Sequence, residues 1–68
     1  MGRKLIRIKQ SEFTSKLIGE EADIVLDTNE VFHGIITSVE NSNITLKSFH
    51  AHILNFEPKN ITEIIIGK

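Results

Sequence analysis

The stretch from Asp23 to Ser48 contains three strand-like runs of apolar residues, the first and third with alternating faces, and two short polar turns separate them. The turns are residues 27–30 (DTNE) and 40–43 (ENSN). Asp and Asn side chains satisfy the backbone of such turns, and Asn tolerates positive φ. Because successive side chains of a strand point to opposite faces of a sheet, the alternation predicts three consecutive antiparallel strands. This pattern constrains the chain to a mainly β fold.

The predicted strands of this stretch span residues 22–26, 31–39 and 44–48. The middle strand is long, and Gly34 lies near its centre. Glycine inside a strand permits strong bending or the close approach of another backbone. The strand is apolar on both faces, with Val31, Ile35 and Val39 on one and Phe32 and Ile36 on the other. A long, bent strand of this kind serves both halves of a small barrel.

Two further strands are predicted over residues 50–56 and 61–66, separated by a turn at residues 57–60 (EPKN) in which Pro58 suits the second position. The last strand is rich in isoleucine and apolar on both faces, and no long segment follows it. Native proteins pair or cover such an edge, so we expect it to pair with an edge strand of a second copy. If the two edges differ, the contact is head-to-tail and repeats until a ring closes.

The small size of the chain also predicts oligomerisation. Its 68 residues form one domain, and a domain this short buries only about 60% of the surface that its unfolded chain exposes. The sequence contains no cysteine, so neither disulfides nor a thiolate metal site can compensate. Association with further copies is the usual remaining remedy.

The first ten residues are a predicted basic arm, because half of the chain's lysines and arginines lie between positions 3 and 9. These residues are Arg3, Lys4, Arg7 and Lys9, and they are candidates for phosphate contact. A merely solubilising tail is the alternative. Alternation from Leu5 to Lys9 hints at a short strand, but a partly ordered tail is favoured because chain termini often fray.

Residues 11–20 predict a short helix that precedes the barrel of residues 21–66. Ser11 is a suitable N-cap and Gly19 a suitable stop. The apolar residues Phe13, Leu17 and Ile18 form one stripe. Because two to three turns of helix are unstable alone, we expect the stripe to dock on the barrel.

Composition and motifs exclude several functional classes. The net charge of −1 does not indicate a nucleic-acid ligand in bulk, although assembly can concentrate the basic residues on one side. No apolar run approaches the roughly 20 residues that cross a bilayer, and the N-terminus lacks the apolar core of a signal peptide, so a cytoplasmic protein is predicted. No recognisable nucleophile arrangement or glycine-rich phosphate loop is present, so neither an enzyme nor a cofactor is expected.

The predicted order, one short helix followed by five bent antiparallel strands, resembles the Sm-like fold, a small SH3-like barrel. One segment resembles the first Sm motif: it consists of Ile24-x-Leu26, two turn residues, an apolar pair, Gly34, Ile36, Glu40 and then Ile44-x-Leu46-Lys47. The bacterial form, the Hfq-type RNA chaperone, is the most similar, because the second and third strands align without a gap. Gln10 and Phe13 also resemble the N-terminus of that form. The resemblance covers most of the chain.

The resemblance implies a homo-oligomeric ring, a hexamer or heptamer, that binds single-stranded RNA. Turns 40–43 and 57–60 would lie together at its central pore, and Gln10 is proposed through the resemblance alone. The implied RNA-binding residues are Gln10, Glu40, Asn41, Ser42, Asn43, Lys59 and Asn60. Asn side chains would contact bases or ribose, and Lys59 would contact phosphate. The plain alternative is that these are ordinary turn residues.

The missing aromatic at Ser42 and the acidic net charge favour a second function, and two departures from the family pattern accompany it. The turn after the second strand carries Ser42 where the Hfq-type proteins carry an aromatic that stacks on bases. Residues 56–60 (FEPKN) replace an aromatic-lysine-histidine run and retain only Lys59 as a cation. The alternative is therefore an oligomeric scaffold that mediates protein contacts without binding RNA.

The three histidines, His33, His50 and His52, raise the question of a metal site. His50 and His52 share one predicted strand face, which is a chelating arrangement. However, no carboxylate or cysteine lies at a ligand-like spacing from them, and surface histidines without metal are more common. No metal site is predicted.

Overall fold

The computed structural model describes residues 4–67, which form one antiparallel sheet of six strands in the order β1-β6-β2-β3-β4-β5. The strands are β1 (Leu5–Ile8), β2 (Glu21–Leu26), β3 (Val31–Val39), β4 (Ile44–Ser48), β5 (Ile53–Phe56) and β6 (Ile61–Gly67). Three short 3-10 turns interrupt them, at Gln10–Glu12, Ser15–Leu17 and Pro58–Asn60. The mainly β prediction is confirmed, with one strand more than the predicted five. Arg3, in the predicted arm, lies outside the described residues.

The sequence pattern locates the central strands accurately. Strands β3 and β4 have the predicted bounds, and β2 and β6 each extend one residue further. Strand β5 begins at Ile53 and not at residue 50, because residues 49–52 form a turn in which Ala51 adopts a φ of 65°. The turn is closed by hydrogen bonds from Ala51 N to Ser48 O (2.9 Å) and from Ser48 N to His52 O (2.9 Å).

The predicted helix over residues 11–20 is wrong. Two separate 3-10 turns occupy this segment, and Thr14 between them is extended, with a φ of −130° and a ψ of 171°. The Thr14 hydroxyl accepts a hydrogen bond from Lys16 N (3.4 Å) and begins the second turn. So short a segment has little intrinsic helical stability, and burial of Leu17 in the core determines its path instead.

The predicted basic arm is a strand rather than a tail. Strand β1 pairs antiparallel with β6, and Ile6 and Ile8 lie opposite Ile66 and Ile64. This pairing turns two apolar side chains towards the core and leaves Leu5 65% exposed on the other face. The edge of β6, which the sequence predicted to be open, is therefore covered by the same chain.

The core lies on one face of the sheet, and isoleucine dominates it. Its buried members are Leu17, Ala22, Ile24, Ile36, Ile44, Leu46, Ile61, Ile64 and Ile66. Phe13 from the N-terminal segment and Phe32 and Phe56 from the strands pack around them. Phe32 and Phe56 form a tilted ring pair with centroids 5.2 Å apart. No buried polar side chain is found among the described residues.

Gly34 permits the close approach of β3 to β4. A Cβ built at Gly34 would collide with the carbonyl oxygen of Lys47 and would lie 2.9 Å from its carbonyl carbon and 3.0 Å from Ser48 Cα. Of the two roles that the sequence suggested for this glycine, close backbone approach is therefore observed. No side chain larger than hydrogen fits here without displacing β4.

A bulge in β3 changes which face its last residues present. The register with β4 shifts between Ile36 and Ser38, so that Val39 lies opposite the buried Ile44. Val39 then packs against the core, whereas strict alternation placed it with the exposed Val31 and Ile35. An extra residue in one strand reverses the alternation beyond it, which is why the prediction for Val39 is wrong.

Candidate functional site

A polar groove lies at one end of the sheet, where the N-terminal turns meet the turn after β3 and the turn before β6. We call it the end groove. It has a volume of about 430 Å³ and is lined by Gln10, Phe13, Thr14, Ser15, Val39, Glu40, Asn41 and Pro58. Three of the seven predicted RNA-binding residues, Gln10, Glu40 and Asn41, lie in this lining. Segments far apart in the sequence thus converge in one concave surface.

Gln10 joins the N-terminal segment to the turn before β6. Its Nε2 amide lies within hydrogen-bonding distance of three backbone carbonyl oxygens, those of Pro58 (3.0 Å), Lys59 (3.4 Å) and Ile61 (2.9 Å). The contact with Ile61 is partly buried. The side chain therefore has a structural role, because its amide hydrogens already have acceptors in the chain. Its side-chain oxygen is the part of Gln10 suited to a ligand.

The turn between β3 and β4 supplies the opposite wall. Backbone hydrogen bonds from Glu40 N to Asn43 O (2.8 Å) and from Asn43 N to Glu40 O (3.4 Å) close it. Glu40 and Asn41 are exposed and line the groove, and Ser42, also exposed, lies outside the lining. Asn43 is directed elsewhere, because its Nδ2 donates to Thr45 Oγ1 (3.0 Å) and to the side chain of Asn55 (3.1 Å).

Lys59 and Asn60 lie beside the end groove and do not line it. The ammonium group of Lys59 is 3.2 Å from a carboxylate oxygen of Glu57, and both side chains are largely exposed. The Asn60 backbone closes the turn by donating to Glu57 O (2.9 Å) and accepts from Asp27 N (2.9 Å). The exposed side chain of Asn60 remains on the surface. An exposed ion pair is weak and screened by salt, so a phosphate could compete for Lys59.

The other cations of the predicted arm, Lys4, Arg7 and Lys9, lie in β1 or directly beside it. Arg7 Nη1 lies 3.3 Å from Glu63 Oε2 on the neighbouring strand. Lys4 and Lys9 are exposed just before and just after the strand, and Lys9 directly precedes Gln10. The charge nearest to the groove is thus mixed, with the carboxylate of Glu40 in the lining and the cations of Lys9 and Lys59 outside it.

The histidines do not form a metal centre within residues 4–67. His33 pairs through Nδ1 with the carboxylate of Asp23 on β2 and packs against Phe49 in a tilted arrangement, with ring centroids 4.9 Å apart. His50 and His52 are exposed in the turn between β4 and β5. No group of three or more histidine, cysteine or acidic side chains in this range has the geometry to hold a metal ion.

Phe13, Val39 and Pro58 are groove residues that sequence reasoning did not assign to the site. Phe13 was placed on a helical stripe, although its ring is half-buried at the groove and packs against the core. Val39 faces the groove only because of the bulge in β3. Pro58 was recognised as a turn residue, and its position directly before the predicted site residues Lys59 and Asn60 was the available signal.

None of the helical segments between residues 4 and 67 has the length and apolarity needed to traverse a bilayer. Comparisons of the chain with models of protein families, with curated proteins and with solved structures find no match.

Proposed function

We propose that this chain is a non-catalytic, Sm-like protein of the cytoplasm that binds single-stranded RNA at the end groove as a homo-oligomeric ring. The convergence of Gln10, Glu40 and Asn41 with Pro58 in the lining of the end groove carries this proposal. These residues come from three separate segments and share one concave, polar surface. The resemblance of the residue pattern to the Sm motifs supports the same function, and the absence of cysteine supports the compartment.

The groove offers suitable chemistry for an unstacked base. The exposed Asn41 amide both donates and accepts, and the Glu40 carboxylate accepts from base amino or imino groups. Phe13 provides an apolar wall against which a base can rest. Sequence-selective RNA recognition uses such contacts to splayed-out bases. The aromatic stacking residue that is absent at Ser42 is replaced in this proposal by Phe13.

Phosphate contact would come from Lys59 and Lys9, which flank the groove. A single copy with a net charge of −1 attracts RNA weakly, so we propose that several copies place these cations around one RNA strand. Affinity should then fall with added salt, because each neutralised phosphate releases counterions.

Fluorescence anisotropy with uridine-rich and adenine-rich oligonucleotides tests the proposal. We expect Lys59→Glu to weaken binding and Asn41→Ala to weaken it by about fivefold, the effect of losing one hydrogen bond. Lys47→Glu is the matched control, because Lys47 is an exposed cation on the outer face of β4 and does not line the end groove. If neither oligonucleotide binds, or if Lys47→Glu has the same effect as Lys59→Glu, the groove is not an RNA site.

The exposed apolar residues on the outer face of the sheet favour a protein-contact scaffold as the second candidate. Val31 is 57% exposed, Ile53 58% and Phe49 59%. In that function the outer face binds a partner and the end groove has no ligand. Affinity capture with the native chain should then retain a partner that the Ile35→Thr or Val31→Thr variant loses. This result, together with no RNA affinity of the native chain, would select this candidate over the first.

A further inference from the structure

The two edge strands of the sheet, β1 and β5, have complementary open edges. Within residues 4–67 no strand pairs with the outer edge of either one. From the geometry we infer that copies of this chain associate head-to-tail, with β5 of one copy pairing antiparallel to β1 of the next. This inference specifies the contact of the proposed assembly, does not rest on RNA binding, and uses β1 in place of the covered edge of β6.

Strand direction permits this contact. The alternation of directions across the six antiparallel strands makes β1 parallel to β2 and β5 antiparallel to it. The two edges therefore run in opposite directions. A second copy in the same orientation places its β1 antiparallel to β5 of the first, so the antiparallel sheet continues across the boundary.

The hydrogen-bonding groups of β5 point to its open edge at alternate residues. Ser48 N donates to His52 O (2.9 Å), which makes these residues a hydrogen-bonded pair of the ladder. In antiparallel strands such pairs alternate with pairs that do not exchange hydrogen bonds. Leu54 therefore bonds to β4, whereas the backbone groups of Ile53 and Asn55 point to the open edge.

The same alternation identifies the outward groups of β1. Leu26 N donates to Glu30 O (2.8 Å), which starts the count in β2. Hydrogen-bonded pairs alternate in the same way between β2 and β6 and between β6 and β1. Ile6 and Ile8 are therefore the residues of β1 that bond to β6. The backbone groups of Leu5 and Arg7 are left pointing to the open edge.

The two sets of outward groups fit one register. If Arg7 lies opposite Ile53 and Leu5 opposite Asn55, both pairs exchange backbone hydrogen bonds. All four side chains belong to the outer face of their strands, so both sheets keep the core on the same side. On the core side, Ile6 then lies beside Leu54, and each covers apolar surface that is half-exposed in one copy.

Charge selects this pairing over the pairing of two β1 strands. Strand β1 is flanked by Lys4 and Lys9 and contains Arg7, so two β1 edges would repel each other. Strand β5 carries no charge, and Glu57 directly follows it. In this register Lys4 of one copy lies opposite Phe56 of the other, one residue from Glu57. Strand β5 also lacks the lysine, proline or bulge by which native edge strands resist pairing.

Two proline variants test the inference by blocking one edge each. Ile53→Pro and Leu5→Pro each remove one outward amide at the first residue of an edge strand, where proline is tolerated. Sedimentation velocity and native mass spectrometry should show each variant as a monomer at concentrations where the native chain assembles, with association at least about tenfold weaker. Ile53→Ala and Leu5→Ala, which keep the amides, are the matched controls and should assemble.

Mixing the two proline variants is the decisive measurement. Each keeps one competent edge, so a mixture should form a heterodimer and nothing larger. Failure to form it, with both variants folded by circular dichroism, would overturn head-to-tail pairing. A Leu5→Pro variant that dimerises by itself would also overturn it and would indicate a contact between two β5 strands. A native chain that stays monomeric, or proline variants that assemble normally, would also overturn it.

Amide hydrogen exchange of the native chain gives a test that requires no variant to fold. NMR spectra should show the amides of Leu5, Arg7, Ile53 and Asn55 exchanging more slowly in concentrated solution than in dilute solution. Exchange rates at these four positions that do not change with concentration would overturn the inference.

Discussion

The centre of the sheet and the N-terminal segment are specified by interactions of different range. Strands β3 and β4 are apolar segments bounded by polar turns that are readable within the segments themselves, and their bounds agree with prediction. Residues 4–20 owe their conformation to distant partners instead. Strand β1 pairs with β6 at the other end of the sequence, and Gln10 is held by carbonyls about fifty positions away. Local pattern specifies the first region, and tertiary contact specifies the second.

A pair of glycine substitutions, one in each region, should give the largest difference. We expect Gly34→Ala to lower the free energy of unfolding by about 3 kcal/mol or more, because its new methyl group would overlap the β4 backbone. Gly19→Ala in the N-terminal segment should cost about 1–2 kcal/mol, because its φ of 90° is unfavourable for alanine although the surrounding space is open. Urea denaturation measures both. Equal losses would show that β4 yields easily.

Leucine truncation compares how the two regions contribute to the core. Leu46→Ala in β4 should lower the free energy of unfolding by about 3–4 kcal/mol, within the range for fully buried leucines. Leu17→Ala in the second 3-10 turn should cost less, about 2 kcal/mol, because the turn can shift to close part of the cavity. Denaturation with urea at constant m-value gives the difference. A larger loss at Leu17 would make the N-terminal segment an equal part of the core.

Much of the fold was accessible from the sequence because the sheet residues alternate strictly where no bulge occurs. The turn residues after β2 and β3 were recognised from their Asp and Asn content. The position of Val39 was not accessible, since a bulge leaves no signature in a strand whose residues are apolar on both sides. The start of β5 was not accessible either, because the turn before it depends on a positive φ at Ala51, which is uncommon for alanine.

The end groove was accessible in part. The turns that contain Glu40, Asn41 and Pro58 were expected to be neighbours, and Gln10 was proposed as a binding residue through the family resemblance, without a position relative to them. The role of Phe13 was obscured by the predicted helix. The sequence of residues 11–20 is compatible with a helical stripe. The burial of Leu17 and the contacts of Gln10 select two 3-10 turns instead. Such contacts carry no local signal.

Gln10→Ala tests whether the N-terminal segment depends on that one side chain. We expect a loss of about 1–2 kcal/mol, because the partly buried carbonyl of Ile61 loses its donor. Glu12→Ala, in the same 3-10 turn and exposed, is the control and should change stability by less than about 0.5 kcal/mol. Thermal denaturation measures both. Equal effects would mean that strand pairing alone positions the segment.

The smallest expected effect concerns the ion pair between Arg7 of β1 and Glu63 of β6. The atoms are 3.3 Å apart, but the Arg7 side chain is 70% exposed, so solvent screens the attraction. A double-mutant cycle with Arg7→Ala and Glu63→Ala should give a coupling below about 0.5 kcal/mol, and 1 M salt should abolish it. A coupling that exceeds about 1 kcal/mol and persists in salt would show that charge holds β1 to the sheet. The small value would assign that role to the backbone ladder and to Ile6 and Ile8, whose side chains face the core.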